Sequence, residues 1–234
     1  MGMLLSSAFM LQGCAALAWI GLMSTDMDRC NELEFTSFEH ASVAPPEQIQ
    51  RAPLKHIAVI PFTDDMRMAK GWANVLAHMP NRSVLGPEEI SSRLLPNMHT
   101  QLAQRITDQD DIALAQQISQ SVQPVDTVLF GKVIGEPPQK SFWRLKEKYP
   151  QRLYLSLVSA EGTVLWKSEL PFTMLKGIKD VDEEVLKRRL LTYVTKHSKE
   201  WGWTPLGLTL EQTESEASSV GPSETQLCNH LLDF

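Results

Sequence analysis

The residues of this 234-residue chain that could do metal, redox or acid–base chemistry are six histidines, three cysteines and scattered carboxylates. His40, His56, His78, His99, His197 and His230 form no HExxH pattern, and no two stand four apart on one helix, so their spacing offers neither a zinc set nor a base beside a nucleophile. Asp108, Asp110 and Asp111 open like a calcium loop. No Gly follows at the sixth position and no Glu at the twelfth, which makes them an acidic helix start instead. Neither a glycine-rich phosphate loop nor a GxSxG elbow occurs, and Cys14, Cys30 and Cys228 make no CxxC. The expectation is a chain without catalytic residues, metal or cofactor, with a hydrolase built on dispersed acids or histidines as a lesser alternative.

One segment invites a sharper reading. Lys140-Ser141-Phe142-Trp143-Arg144-Leu145-Lys146-Glu147-Lys148-Tyr149 concentrates bases and aromatics in a chain of net charge -6. Aromatics and Arg dominate binding hot spots, so Phe142, Trp143, Arg144, Lys146 and Tyr149 are candidate partner-binding residues. The plainer reading buries Phe142 and Trp143 against a sheet and leaves the bases solvated; contact with lipid headgroups is a third. The acidic balance, 28 Asp and Glu against 22 Lys and Arg, argues against a nucleic-acid partner.

From Met1 to Met27 the only ionisable side chain is Asp26, and Met3–Met23 is long and apolar enough to span a bilayer. Within it, Leu11-Gln12-Gly13-Cys14 resembles a bacterial lipobox, with an aliphatic residue three before the cysteine and a small one just before it. The resemblance implies a signal peptide over 1–13 and lipidation of Cys14 as the mature N-terminus. No Lys or Arg precedes the apolar run, and Ala15–Met23 stays apolar, so an uncleaved anchor helix and a conventional signal peptide stand as alternatives. An export compartment would permit Cys30 and Cys228 to pair, the simpler case being two unpaired thiols.

Hydrophobic content of 43% with 21% charged residues is that of a globular domain. Residues 14–53 carry Pro45, Pro46 and Pro53 among few periodic apolar positions and read as an arm. Ile57-Ala58-Val59-Ile60 is a continuous apolar run, as in a strand covered on both faces and stopped by Pro61. Thr63-Asp64-Asp65 can cap a helix over 66–79, Ser83–Leu85 is a short strand, and Gly86-Pro87-Glu88-Glu89 opens a helix through Leu95. Ile112, Ala115, Ile118 and Val122 make one helix face. Strands follow at 126–135, 152–158 and 163–169, the last two joined at Ala160-Glu161-Gly162. Asp180–Trp201 reads as a helix with acids first, bases later and a Leu186, Leu190, Val194, His197, Trp201 stripe. Residues 204–234 read as an acidic, largely disordered tail. Together these predict an α/β (α+β) domain over 54–203: a single mixed β-sheet with helices packed on it, flanked by the lipidated arm and by the C-terminal helix and tail.

Three features, Ile57-Ala58-Val59-Ile60-Pro61-Phe62, Asp126-Thr127-Val128-Leu129-Phe130-Gly131-Lys132-Val133, and the hairpin Leu153–Val158 with Glu161-Gly162-Thr163-Val164-Leu165-Trp166, resemble a periplasmic α/β domain over about Leu54–Leu170. That domain is shared by the curli secretion lipoprotein, penicillin-binding-protein activator lipoproteins and flagellar-ring outer-membrane proteins. The resemblance implies a non-catalytic adaptor anchored by its N-terminal lipid on the periplasmic face of the outer membrane, or on the inner membrane. Its partner would be a larger envelope complex: a cell-wall synthase, a secretion or pilus assembly, or a flagellar ring. A homo-oligomer is left open. A pore like the curli channel needs lipid-facing hairpins of alternating residues, and the charged insertion at 140–149 is a poor source of them.

Overall fold

The computed structural model describes residues 33–35, 40–63, 65–105, 107–140, 147–174, 183–197, 203–208 and 210. The chain divides into two units, Glu34–Gln212 and one made of Met1–Leu33 with Thr213–Phe234, and the described residues other than Leu33 belong to the first. The strands are β1 (Leu33–Phe35), β2 (His40–Val43), β3 (His56–Val59), β4 (Ser83–Leu85), β5 (Thr127–Gly135), β6 (Gln139–Lys140), β7 (Glu147–Ser159) and β8 (Val164–Met174). The helices are α1 (Pro46–Ile49), α2 (Met66–Ala77), α3 (Pro87–Arg93), α4 (Pro96–Gln104), α5 (Asp108–Ser121) and α6 (Glu183–His197), followed by a 3-10 turn at Thr204–Leu206.

One mixed sheet runs in the order β1-β8-β7-β5-β3-β4, with β2 paired to β8 and β6 to β7. β3 is parallel to both β4 and β5, whereas β5, β7 and β8 are successively antiparallel. Ile57, Ala58, Val59 and Ile60 are each 0% exposed, as a run without a polar side requires. On the front face Ala58, Ile60, Val128, Phe130 and Val158 pack under α3, α4 and α5 through Ile90, Leu94, Met98, Leu102, Leu114, Ala115 and Ile118. On the back face α2 packs against α6, and Trp203 meets Trp72 and Trp166 edge-on at ring separations of 6.0 and 5.7 Å.

Local chemistry fixes the element ends. Asp65 caps α2 by accepting from Arg67 N and Met68 N at 3.1 and 3.0 Å, and Thr107 with Asp110 forms a capping box on α5. The Asp126 carboxylate accepts from Lys55 N and His56 N, both at 3.0 Å, tying the starts of β3 and β5 together. Gly162 has φ +87° between β7 and β8, a conformation that calls for glycine at this turn.

The ordered body is wider than 54–203. His40–Val43, read as part of the arm, pairs with Trp166–Glu169, and Ile49 and Leu54 are buried. Trp203, Leu206 and Leu208 are buried as well, carrying the core into the segment read as tail. α4 and β6 had no counterpart in the sequence reading. β7 and β8 also run past its limits, to Pro150 and Tyr149 on one side and Pro171 to Met174 on the other.

Candidate functional site

Among the described residues the front face is only half covered. Strand alternation places Val128, Phe130, Lys132 and Ile134 of β5 on it, opposite Val158, Ser156, Tyr154 and Arg152 of β7. The helices cover the Val128 and Phe130 rows and stop. Beyond them Lys132, Tyr154, Ser156, Lys167 and Glu169 line an open depression of about 640 Å³, walled by Arg105 and Asp111 on one side and by Ala41 and Ser42 of β2 on the other.

Its position follows from the topology. From β3 the chain crosses by the back face to β4, then by the front face to β5 on the other side, so the strand order reverses between β3 and β5. Ligands of open α/β sheets bind outside the carboxyl ends of the strands at such a reversal. Here β3 also stops early. Ile60 N donates to Leu129 O at 3.2 Å, but Pro61 interrupts the run, and Gly131 O accepts from Thr63 N at 3.4 Å and from Arg105 Nη2 instead.

Arg105 directly follows α4 and is 8% exposed. Its guanidinium stacks 5.1 Å from the centre of the Phe130 ring and lies 3.7 Å, Nη1 to Oδ1, from Asp111. Burial pulls its pKa down and Asp111 partly restores it; a guanidinium so placed still holds its proton at neutral pH. Among the described residues Nη1 has no hydrogen-bond partner, nor does the buried hydroxyl of Ser156. At the rim Arg152 bridges Glu136 and Glu169 at 2.8 and 2.6 Å. Burial, and then the Glu169 charge to which Tyr154 donates, push the Tyr154 phenol up. Lys132 makes no ion pair among the described residues.

A second charged group sits elsewhere. Lys70 joins Glu88 at 2.6 Å and Glu183 at 3.3 Å, and Lys187 joins Glu183 and Glu184 at 2.9 and 2.8 Å. Each of these charges faces an opposite one, and the pairs clasp α2, α3 and α6, a structural role. Among the described residues no three His, Cys, Asp or Glu side chains group as metal ligands, and no helix is long and apolar enough to cross a membrane.

Of the residues singled out from sequence, Cys14, Cys30, Cys228, Phe142, Trp143, Arg144 and Lys146 lie outside the described residues. Tyr149 is half-buried in β7, opposite Met174. Sequence reasoning missed Arg105, Lys132, Tyr154, Ser156 and Lys167. A signal was present in the alternation of Arg152, Tyr154 and Ser156 with Leu153, Leu155 and Leu157, which marks a strand face without apolar cover.

No family model matches the chain, and no curated protein does. Among solved structures it is similar to the dodecamer of a PelC point variant from Paraburkholderia phytofirmans, with 14% identity and TM-score 0.38 over 75% of this chain and 97% of that one. It is also similar to lipoprotein GNA1162 from Neisseria meningitidis, with 16% identity and TM-score 0.40 over 62% and 99%, and to the hypothetical protein CT253 from Chlamydia trachomatis, with 7% identity and TM-score 0.39 over 63% and 96%.

Proposed function

We propose that this chain is a lipid-anchored, non-catalytic component of a cell-envelope assembly, held at a membrane by its N-terminal segment and working by recognition through its α/β body. The observation that carries this is the Leu11-Gln12-Gly13-Cys14 tetrapeptide within the apolar Met3–Met23 run. A thioether-linked diacylglycerol on Cys14, with an acyl chain on the new amino group, supplies the two or more chains that stable anchoring takes. The front face left open by the described helices supplies a recognition surface, most of its polar groups being set on strands. The finer placement, the periplasmic face of the outer membrane, belongs to the same reading.

The test is mass spectrometry of the membrane-extracted mature chain with and without Cys14→Ser. A mature N-terminus at Cys14 bearing a diacylglyceryl adduct, lost in Cys14→Ser, is the expected result. Retention of residues 1–13 with no adduct overturns it in favour of an uncleaved anchor, which the length of the apolar Met3–Met23 run would allow.

A further inference from the structure

We propose that the front-face depression binds a small amphipathic carboxylic acid, its carboxylate on Lys132 and its apolar body along Ile134 and Tyr154. This goes beyond the anchoring reading and does not need it.

Charge selects the head group. Three cations, Arg105, Lys132 and Lys167, and two carboxylates, Asp111 and Glu169, line the depression. Arg152 and Glu136 at the rim add one charge of each sign, so the group has one positive charge in excess, within a chain of net charge -6. Glu169 is matched by Arg152 at 2.6 Å and Asp111 faces Arg105 at 3.7 Å, while Lys132 has no ion-pair partner among the described residues. A single negative charge completes the set. A phosphate dianion would bring a second charge toward Asp111 and Glu169 without a further cation to meet it.

Beneath, Ser156 at 7% and Arg105 at 8% exposure each keep a buried polar atom without a hydrogen-bond partner among the described residues, where native structures pair nearly all such groups. Both residues line the depression, so an acceptor oxygen is what its floor lacks. Apolar surface selects the rest of the ligand. Ile134 and Tyr154 are 42% and 37% exposed, unusually open for their size among the described residues, and they adjoin on one face because Tyr154 pairs with Lys132, two residues before Ile134. The volume of about 640 Å³ suits a small molecule. The reversal of strand order beside it is an independent reason to expect a ligand here.

The experiment is equilibrium dialysis of radiolabelled 4-phenylbutyrate against the full chain in a neutral detergent, with 4-phenylbutyramide as the uncharged match. Amide shifts of the isotope-labelled chain locate the site. Saturable binding of the acid is expected, about fivefold or more tighter than the amide, with shifts centred on Gly131, Lys132 and Tyr154. Lys132→Gln should weaken the acid by about fivefold, the worth of one half-exposed ion pair, and leave the amide unchanged. Lys132→Arg keeps the charge and should hold the acid within about twofold. Equal affinity for acid and amide, an unaffected Lys132→Gln, shifts elsewhere, or displacement of the acid by equimolar inorganic phosphate each overturns the proposal. None of these outcomes bears on the lipid at Cys14.

Discussion

Gly131→Ala probes the joint on which the depression is built. A Cβ at this position would stand 2.5 Å from three carbons of the Phe62 ring, a distance real Cβ atoms do not show. Phe62 is 4% exposed, so the ring has no solvent to retreat into. Alanine recovers about 0.5–1 kcal/mol because glycine is costly inside a strand. Overpacking of a full core costs about 1–3 kcal/mol, and a rigid ring puts this case at the upper end. The balance is a loss of about 2 kcal/mol. Phe62→Ala alone should cost about 3–5 kcal/mol for the ring it removes. In that background the new methyl enters empty space, and Gly131→Ala should be neutral or slightly stabilising, giving a coupling energy of about 2 kcal/mol. Urea unfolding of the full chain in neutral detergent, followed by tryptophan fluorescence, reads this directly, because Trp72, Trp166 and Trp203 are at most 1% exposed. A neutral Gly131→Ala, or the same cost in both backgrounds, refutes the reasoning.

The same assay checks two further substitutions. Asp126→Ala strips the acceptor from Lys55 N and His56 N and should cost about 1.5–3 kcal/mol, the range for hydrogen bonds to a charged group, with Asp126→Asn losing less. Asp65 carries a pKa raised from its ordinary 3.8, chiefly by burial, with the backbone bonds from Met68 and Arg67 opposing. The folded chain therefore binds this proton more tightly than the unfolded one. Stability drawn from the group falls as pH rises from 3.8 through the folded pKa, then levels. Asn makes an equivalent cap without the charge. The stability of Asp65→Asn relative to the natural chain should thus grow as pH rises across that window, measured as urea midpoints from about pH 3.5 to about pH 7; a difference that shrinks contradicts it.

Much of the scaffold was legible because each piece declared itself within a few residues. The Ile57–Ile60 run, the Asp65 cap, the Gly162 turn and the alternation of 152–158 all rest on short-range rules, and they sit where those rules place them. What escaped depends on distant partners. His40–Val43 is four residues with one large apolar side chain, and it is a strand only because β8 offers it an edge. α4 shows just Met98 and Leu102 as a buried stripe, too little to stand out from a loop. Trp203, Leu206 and Leu208 are buried although they lie among Pro205 and Gly207, and Trp203 finds its cover in the distant Trp72 and Trp166. Arg105 and Lys132 come together only because the helix cover ends between Phe130 and Lys132, a boundary that no local pattern encodes.

The residues that form the sheet's end also make the depression. Pro61 stops β3, which leaves Gly131 O beyond the regular ladder and lets Arg105 donate to it from the front. Held there, Arg105 sits over the Phe130 ring and forms the wall beside Ser156 and Lys132. On the back of the same residue, the missing side chain of Gly131 admits the Phe62 ring, which seals the core one residue after the proline. Pro61, Phe62 and Gly131 thus do one mechanical job, closing the sheet early on one side while leaving its front face open on the other. Arg105→Leu removes the donor that Gly131 O takes from the front, while Thr63 N keeps the carbonyl paired. Loss of acid binding with the fold intact would show that the wall of the depression rests on that donor.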